Sequence, residues 1–152
     1  MIQSETKLVV ADNTGARVLQ CIQVLGTASG KVGDSVVGVV KEALPKMSIQ
    51  KSDVVRGILV RQRAPLRRNS GMWLQFDDNA VVLLSKDGNP RGSRIFGSIA
   101  RELRTDGRKL KRSLPHRGCT GETKLSTTGL EAQRVSRAQR YAKLLSLAPE
   151  IC

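Results

Sequence analysis

The sequence predicts a mainly β fold, a small antiparallel barrel, on three observations. Its 152 residues are the length of one ordinary domain. Hydrophobic residues make up 39% of the chain and charged residues 26%, which is the composition of a globular protein. Short β-branched runs separated by turn residues fill the first hundred positions, a pattern typical of a barrel or a sandwich, and six such runs favour the barrel.

The predicted strands follow one another along the chain. They span residues 7–10, 17–25, 36–41, 54–63, 73–76 and 80–84. Turn residues 12–15 and the glycine-bounded stretch 26–33 separate the first three runs. In the second run the candidate core positions are Val18, either Cys21 or Ile22, and Val24. The last two runs flank the polar triplet Asp77-Asp78-Asn79, so we expect them to form a hairpin.

The composition changes after Phe96. Residues 99–104 have the pattern of a short helix, and residues 104–142 hold 10 basic and 3 acidic side chains, a net charge of +7. We predict a basic insertion at 105–142, with a loop over 105–127 and a helix from about residue 128, where Thr128 and Glu131 form a capping box. The apolar stripe of that helix is Val135, Ala138, Ala142 and Leu145, and Pro149 ends it.

The charge points to a polyanionic partner. Lys and Arg number 26 against 13 Asp and Glu, a net charge of +13, so nucleic acid is the first candidate and an anionic membrane the second. No run reaches the 18 apolar residues of a membrane-spanning helix, and we expect no membrane insertion. One Trp, one Tyr and two Phe make a platform for single strands improbable. Folded RNA is the favoured ligand, because Arg suits phosphate contacts and stacking.

Two basic loops stand out. Arg61, Arg63, Arg67 and Arg68 surround residues 64–66 in what should be a protruding loop, and Lys46 and Lys51 lie in another. A charge run is most often only a solvated face. Several such runs on one strongly basic chain favour an RNA-binding surface.

The cysteines and the first residues bear on location. The chain has an odd number of cysteines, namely Cys21, Cys119 and Cys152. Residues 1–6 have neither a secretory nor a transit-peptide pattern. We therefore expect free thiols in a reducing compartment and no disulfide. Cys21 is predicted to be a buried small hydrophobe, with Cys119 and Cys152 reactive.

No catalytic motif survives inspection, and we expect neither an enzyme nor a cofactor. Residues 26–32 (GTASGKV) are one residue short of a phosphate loop and have Val32 where a hydroxyl is required, so a hairpin loop is favoured. Asp77 and Asp78 are adjacent and suit a turn better than a catalytic pair. His116, the single histidine, and Cys119 are half a zinc site at most, and a solvated loop histidine is favoured.

Several ordered matches carry a resemblance to a known family. They are Met1-Ile2-Gln3, 10–17 (VADNTGAR), 32–34 (VGD), 40–45 (VKEALP), 79–81 (NAV), 90–97 (PRGSRIFG), 101–103 (REL) and 146–150 (SLAPE). Over residues 1–104 and 143–152 the chain resembles the universal large-subunit ribosomal protein number fourteen in its bacterial and organellar form. Three departures are Ser52 for glycine, Ser93 for threonine and Ser98 for proline.

The resemblance implies a five-stranded β-barrel with a projecting β-ribbon and short C-terminal helices, forming one domain from 1–104 and 143–152. It implies binding to large-subunit rRNA, to small-subunit rRNA across the subunit interface, and to large-subunit proteins three and nineteen. The silencing factor of the ribosome would be bound through Ser93, Arg94 and Lys143. The expected rRNA contacts are Arg17, Lys41, Lys46, Lys51, Arg61, Arg63, Arg67, Arg68, Arg91, Arg101 and Arg104.

The insertion is expected to add contacts of its own. These are Arg108, Lys109, Lys111, Arg112, Arg134, Arg137 and Arg140. Because organellar ribosomes often carry such additions, a mitochondrial ribosome is the expected location, with a chloroplast or the bacterial cytoplasm as alternatives. The functional alternative is a free-standing RNA-binding barrel that acts as a translation factor.

Overall fold

The computed structural model describes residues 1–103 and 142–152. The described strands are β1 (Lys7–Val10), β2 (Ala16–Val24), β3 (Ser35–Ala43), β4 (Val54–Arg61), β5 (Leu66–Arg67), β6 (Trp73–Leu74), β7 (Ala80–Leu84), β8 (Ser98–Ile99) and β9 (Glu150–Ile151). Five of them form a closed barrel in the order β1-β2-β3-β4-β7. Residues 102–103 and 142–147 are helical. Within the described residues, no helix is long and apolar enough to span a membrane. The predicted barrel is confirmed.

The barrel closes through β7. This strand pairs in parallel with β1 and antiparallel with β4, while β1, β2, β3 and β4 follow one another as antiparallel neighbours. All five residues of β7 are buried, as expected for a continuous apolar run that is covered on both faces. Val81 and Leu83 join the barrel interior, and Ala80, Val82 and Leu84 join a second core outside it.

The second core binds the end of the chain to the barrel. Leu144 is fully buried in this core. Leu147 and Ala148, three and four residues further on, pack against the same core. The backbone extends the contact, because β9 pairs with β8 and the N–H of Cys152 donates to the carbonyl of Ile99 at 2.8 Å. Residues 142–152 are therefore an integral part of the barrel's outer layer.

The predicted apolar stripe of the last helix is wrong at its end. Ala142 is exposed and Leu145 is only half-buried, whereas Leu144 is the buried side chain. The face that docks against the second core is set by Leu144, Leu147 and Ala148, which tertiary packing selects over the local pattern. The earlier part of the predicted helix, with Val135 and Ala138, lies outside the described residues.

Two further predictions from local pattern are corrected. Trp73–Leu74 does not form a hairpin with β7 but pairs with Leu66–Arg67, closed by a turn in which the N–H of Arg68 donates to the carbonyl of Met72. The apolar run of β7 has β4 and β1 as partners instead, which bury it on both sides. In the predicted helix at 99–104, Ile99 is a strand residue because its partner is the distant Ile151.

Strand β2 differs from a regular alternation. Register shifts next to Val18 and between Cys21 and Gln23 change which side chains face inward. Leu19, Cys21 and Val24 are buried, Val18 is half-buried and Ile22 is 49% exposed. Of the two alternatives for the core position, Cys21 is the correct one.

Ser52 illustrates the cost of a departure from the family pattern. Its φ is +75°, in the left-handed region that favours glycine, and its N–H donates to the carbonyl of Val40 at 2.8 Å. The family resemblance predicts glycine at this position, and the positive φ explains that preference, because glycine adopts this conformation without steric cost.

We expect Cys21 to resist alkylation in the native protein while Cys152 reacts. Cys21 is 1% exposed and burial raises the pKa of its thiol, so both access and thiolate content are low, whereas Cys152 is exposed. Peptide mapping after brief labelling measures each site. Denatured protein, in which Cys21 must label, is the control, and rapid native labelling of Cys21 would contradict its place in the core.

Candidate nucleic-acid interface

The β5–β6 ribbon is rich in arginine. Residues 61–76 contain four arginines and no acidic residue, and the ribbon stands between the end of β4 and the start of β7. The structure divides these arginines into two pairs. Arg61 and Arg68 turn toward protein acceptors, whereas Arg63 and Arg67 are exposed.

Arg61 is a structural residue. Its side chain is 11% exposed, and its Nε and Nη2 donate to the two carboxylate oxygens of Asp78 at 2.8 and 3.0 Å. Its Nη1 donates to the carbonyls of Phe96 at 2.9 Å and Ser98 at 3.2 Å. This bidentate pair, with two further bonds, ties the base of the ribbon to the segment before β8. Gly97, at φ +81°, lies so close to this guanidinium that an added Cβ would be 2.8 Å from it.

Arg68 joins the ribbon to the chain end. Its Nε donates to Glu102 at 2.7 Å and its Nη2 to the carbonyl of Cys152 at 2.9 Å. Burial raises the pKa of the Glu102 carboxyl, but the hydrogen bond from Arg68, together with a backbone hydrogen bond and the charges of Arg68 and Arg101, brings it below its usual value. Glu102 is therefore held in its ionised form, and Arg68 has a protein partner.

Arg63 and Arg67 remain available for an external ligand. The backbone N–H of Arg63 donates to the side-chain oxygen of Asn79 at 2.8 Å, which fixes the chain while leaving the guanidinium exposed. Arg67 lies directly across the ribbon from Trp73. An open cavity of about 360 Å³ at the ribbon tip is lined by Arg67, Arg68, Asn69 and Gly71.

The second basic group surrounds the loop between β3 and β4. Lys46 and Lys51 are exposed in this loop, and Lys41 and Arg17 are exposed on the adjoining parts of β3 and β2. The N–H of Leu44 donates to the carbonyl of Gly15 at 2.8 Å, which holds the loop beside the start of β2. This group and the ribbon lie at opposite ends of β4, so the structure does not unite them into one patch.

The turn at residues 12–15 lies within the family motif at 10–17 (VADNTGAR), and its side chains make structural hydrogen bonds. Asp12 is 5% exposed, and its carboxylate accepts hydrogen bonds from the N–H and hydroxyl of Thr14 and from the N–H of Leu83. The side-chain oxygen of Asn13 accepts the N–H of Ser93 at 3.0 Å, and its amide donates to the Ser93 hydroxyl at 2.9 Å. The motif thus positions the segment that carries Ser93 and Arg94.

Ser93, Arg94 and Lys143 are all exposed. The Arg94 guanidinium lies 5.7 Å from the centre of the Phe96 ring, and the Lys143 ammonium donates to Asn89 at 2.9 Å. The segment and the helix are linked, since the N–H of Ile95 donates to the carbonyl of Leu147 at 3.3 Å. Arg91 and Arg101 are also exposed.

Several predicted contacts fall outside the described residues. They are Arg104, Arg108, Lys109, Lys111, Arg112, Arg134, Arg137 and Arg140, with His116 and Cys119 of the half zinc site. Within residues 1–103 and 142–152 no group of three or more potential metal ligands occurs.

Sequence reasoning missed the carboxylates that hold two of the arginines, and it missed Trp73. The local pattern places Asp78 only in a turn and Glu102 only within the family motif. Their roles depend on pairing across 17 and 34 residues of chain, which no local pattern reveals. Trp73 becomes a candidate binding residue because it lies directly opposite Arg67, and the sequence pattern predicts a different strand partner for it.

The closed barrel, its arginine-rich ribbon and the net charge of +13 define a small basic β-barrel protein. Residues 1–113 match the family described as Ribosomal protein L14p/L23e, and the chain belongs to that family. It is therefore a ribosomal protein of the large subunit, of a structural rather than enzymatic class. The resemblance seen in the sequence is confirmed.

We expect Arg61→Gln to destabilise the fold by about 1–3 kcal/mol, because it removes a largely buried guanidinium from a partly buried ion pair and leaves two carbonyls without their donor. Arg67→Gln is the matched control, since Arg67 is exposed, and its effect should stay within about 0.5 kcal/mol. Urea unfolding measures both. Equal effects of the two substitutions would contradict the division of the arginines.

Proposed function

We propose that this protein binds large-subunit rRNA as a structural constituent and contributes to the face where the ribosomal subunits meet. The observation that carries the proposal is the ribbon, whose acid-free sequence exposes Arg63 and Arg67 while Arg61 and Arg68 hold it in place. A pair of exposed guanidinium groups on an anchored ribbon suits bidentate phosphate contacts. The proposed rRNA contacts are therefore Arg17, Lys41, Lys46, Lys51, Arg63, Arg67, Arg91 and Arg101, together with Arg104, which lies outside the described residues. Arg61 and Arg68 are left out because their guanidinium groups bond to the protein.

The second part of the proposal concerns partners. Ser93, Arg94 and Lys143 would form the surface for small-subunit rRNA or the silencing factor, and large-subunit proteins three and nineteen would be neighbours. Support comes from the exposure of these side chains and from their attachment to ordered segments through Asn13 and Asn89. The free-standing translation factor is the less favoured function, because the family is ribosomal. Retention on large subunits through a high-salt wash separates the two.

We expect the double variant Arg63→Gln, Arg67→Gln to bind large-subunit rRNA more weakly and with a smaller salt dependence. Each phosphate contact contributes about 0.7–0.9 to the slope of log affinity against log salt, so losing two contacts should lower the slope by about 1.4–1.8. Filter binding over a salt series measures this. Arg56→Gln, at an exposed arginine of β4 outside the ribbon, is the control. An unchanged slope in the double variant would place the RNA contact elsewhere.

We further propose that residues 105–142 are an addition that serves a mitochondrial ribosome. The segment holds much of the net charge, and the family match ends at residue 113, inside it. Its basic residues would bind RNA or a neighbouring protein. A tolerated surface loop is the alternative, because long insertions cost little closure entropy.

Deletion of residues 114–139 tests the role of this addition, since it removes only sequence beyond the family match and keeps the final segment that covers the second core. We expect large subunits to assemble poorly or to join small subunits less well. Gradient sedimentation of mitochondrial ribosomes measures both. Normal levels of joined ribosomes would contradict a structural role for residues 114–139.

A further inference from the structure

The ribbon has two unlike faces. In an antiparallel pair, residues directly opposite one another share a face, and neighbours along each strand alternate. Leu66 pairs with Leu74, and Leu74 packs against the second core. Arg67 pairs with Trp73, so these two side chains share the other face. Both are exposed there, and Trp73 retains 65% of its accessible surface.

An indole in this position is costly for the free protein. A tryptophan can bury 150–250 Å² of surface, roughly, yet Trp73 packs little of it, and its neighbour Met72 is 59% exposed. Tryptophan is enriched among the residues that contribute most of the binding energy at interfaces, and Trp73 and Met72 expose two large apolar side chains next to each other on this ribbon. The charge of the ribbon indicates which partner. Arg61 and Arg68 are neutralised by Asp78 and Glu102, but Arg63 and Arg67 are exposed, and their two positive charges complement a polyanion and disfavour a basic protein surface.

The pairing also fits the chemistry of one nucleotide. Cross-strand neighbours have Cβ atoms about 4.5–5.5 Å apart. A guanidinium and an indole held side by side can therefore receive a phosphate and a base from the same stretch of RNA. The ribbon offers one indole and no row of aromatic side chains, which suits a single unpaired base better than a long single strand.

We propose that Trp73 stacks on an unpaired base of large-subunit rRNA while Arg67 binds an adjoining phosphate. This inference rests on the proposed function and adds to it a specific contact that depends on ring stacking instead of charge. It makes the ribbon's outer face a reader of RNA shape, since only a nucleotide that leaves its helix can reach the indole.

The chain supplies its own probe, because Trp73 is its single tryptophan. Full-length protein is titrated with deproteinised bacterial large-subunit rRNA, and indole fluorescence and filter-bound RNA are measured together. A perfectly paired RNA duplex is the comparison ligand. We expect strong quenching by rRNA and little by the duplex, although both bind electrostatically.

Substitutions separate stacking from charge. Trp73→Ala should lose about 5- to 100-fold in rRNA affinity with an unchanged salt slope, while Trp73→Phe should retain most of it. Val54→Ala, at an equally exposed apolar residue of β4, is the control and should bind like the wild type. Circular dichroism checks that each variant is folded, and the quenching of the wild type does not depend on any variant.

Each failure has its own signature. If the wild-type protein does not bind rRNA, the proposed function and this inference both fall. If it binds with unchanged indole emission, or if Trp73→Ala binds as tightly as the wild type, the stacking is wrong while the rRNA-binding function stands. Trp73 would then face a protein neighbour or solvent. Equal losses in Trp73→Phe and Trp73→Ala would also overturn stacking.

Discussion

The ribbon and the segment beside it depend on the guanidinium of Arg61. It is largely buried at the end of β4, where it joins the Asp78 carboxylate and the carbonyls of Phe96 and Ser98. Burying such a charge is costly without good partners, and here its bonds go to a carboxylate beside the start of β7 and to two backbone carbonyls at β8. The ribbon consequently starts from a rigid base. Arg68 completes the arrangement by tying the turn of the ribbon to Glu102 and Cys152.

This arrangement explains why a cluster of four arginines has two functions. Arg61 and Arg68 donate their hydrogen bonds to the protein and so orient the ribbon. Arg63 and Arg67 are exposed and can bind an external ligand. A flexible basic loop would lose more entropy when it bound RNA. The pairing of the two ribbon strands accounts for the orientation of Trp73. Because Leu74 packs against the second core, its neighbour Trp73 lies on the opposite, outward face.

The fold could be predicted from local pattern only where the strands are regular. The runs that became β1, β3, β4 and β7 alternate or are continuously apolar, and their barrel follows. Bulges in β2 and the distant partners of Ile99 and Trp73 leave no local signal, so those assignments failed. The basic character of the candidate site can be predicted from composition. Composition does not distinguish the structural Arg61 from the exposed Arg67. That distinction depends on Asp78, which comes within reach only when β4 and β7 pair.

A density map of a large ribosomal subunit that contains this chain tests the division of the arginines most directly. The account predicts RNA phosphate within hydrogen-bond distance of Arg67 and an unpaired base on the Trp73 indole. It also predicts that Arg61 and Arg68 keep Asp78 and Glu102 as partners. A ribbon that faces solvent or protein, or an Arg61 that leaves Asp78 to reach RNA, would contradict it.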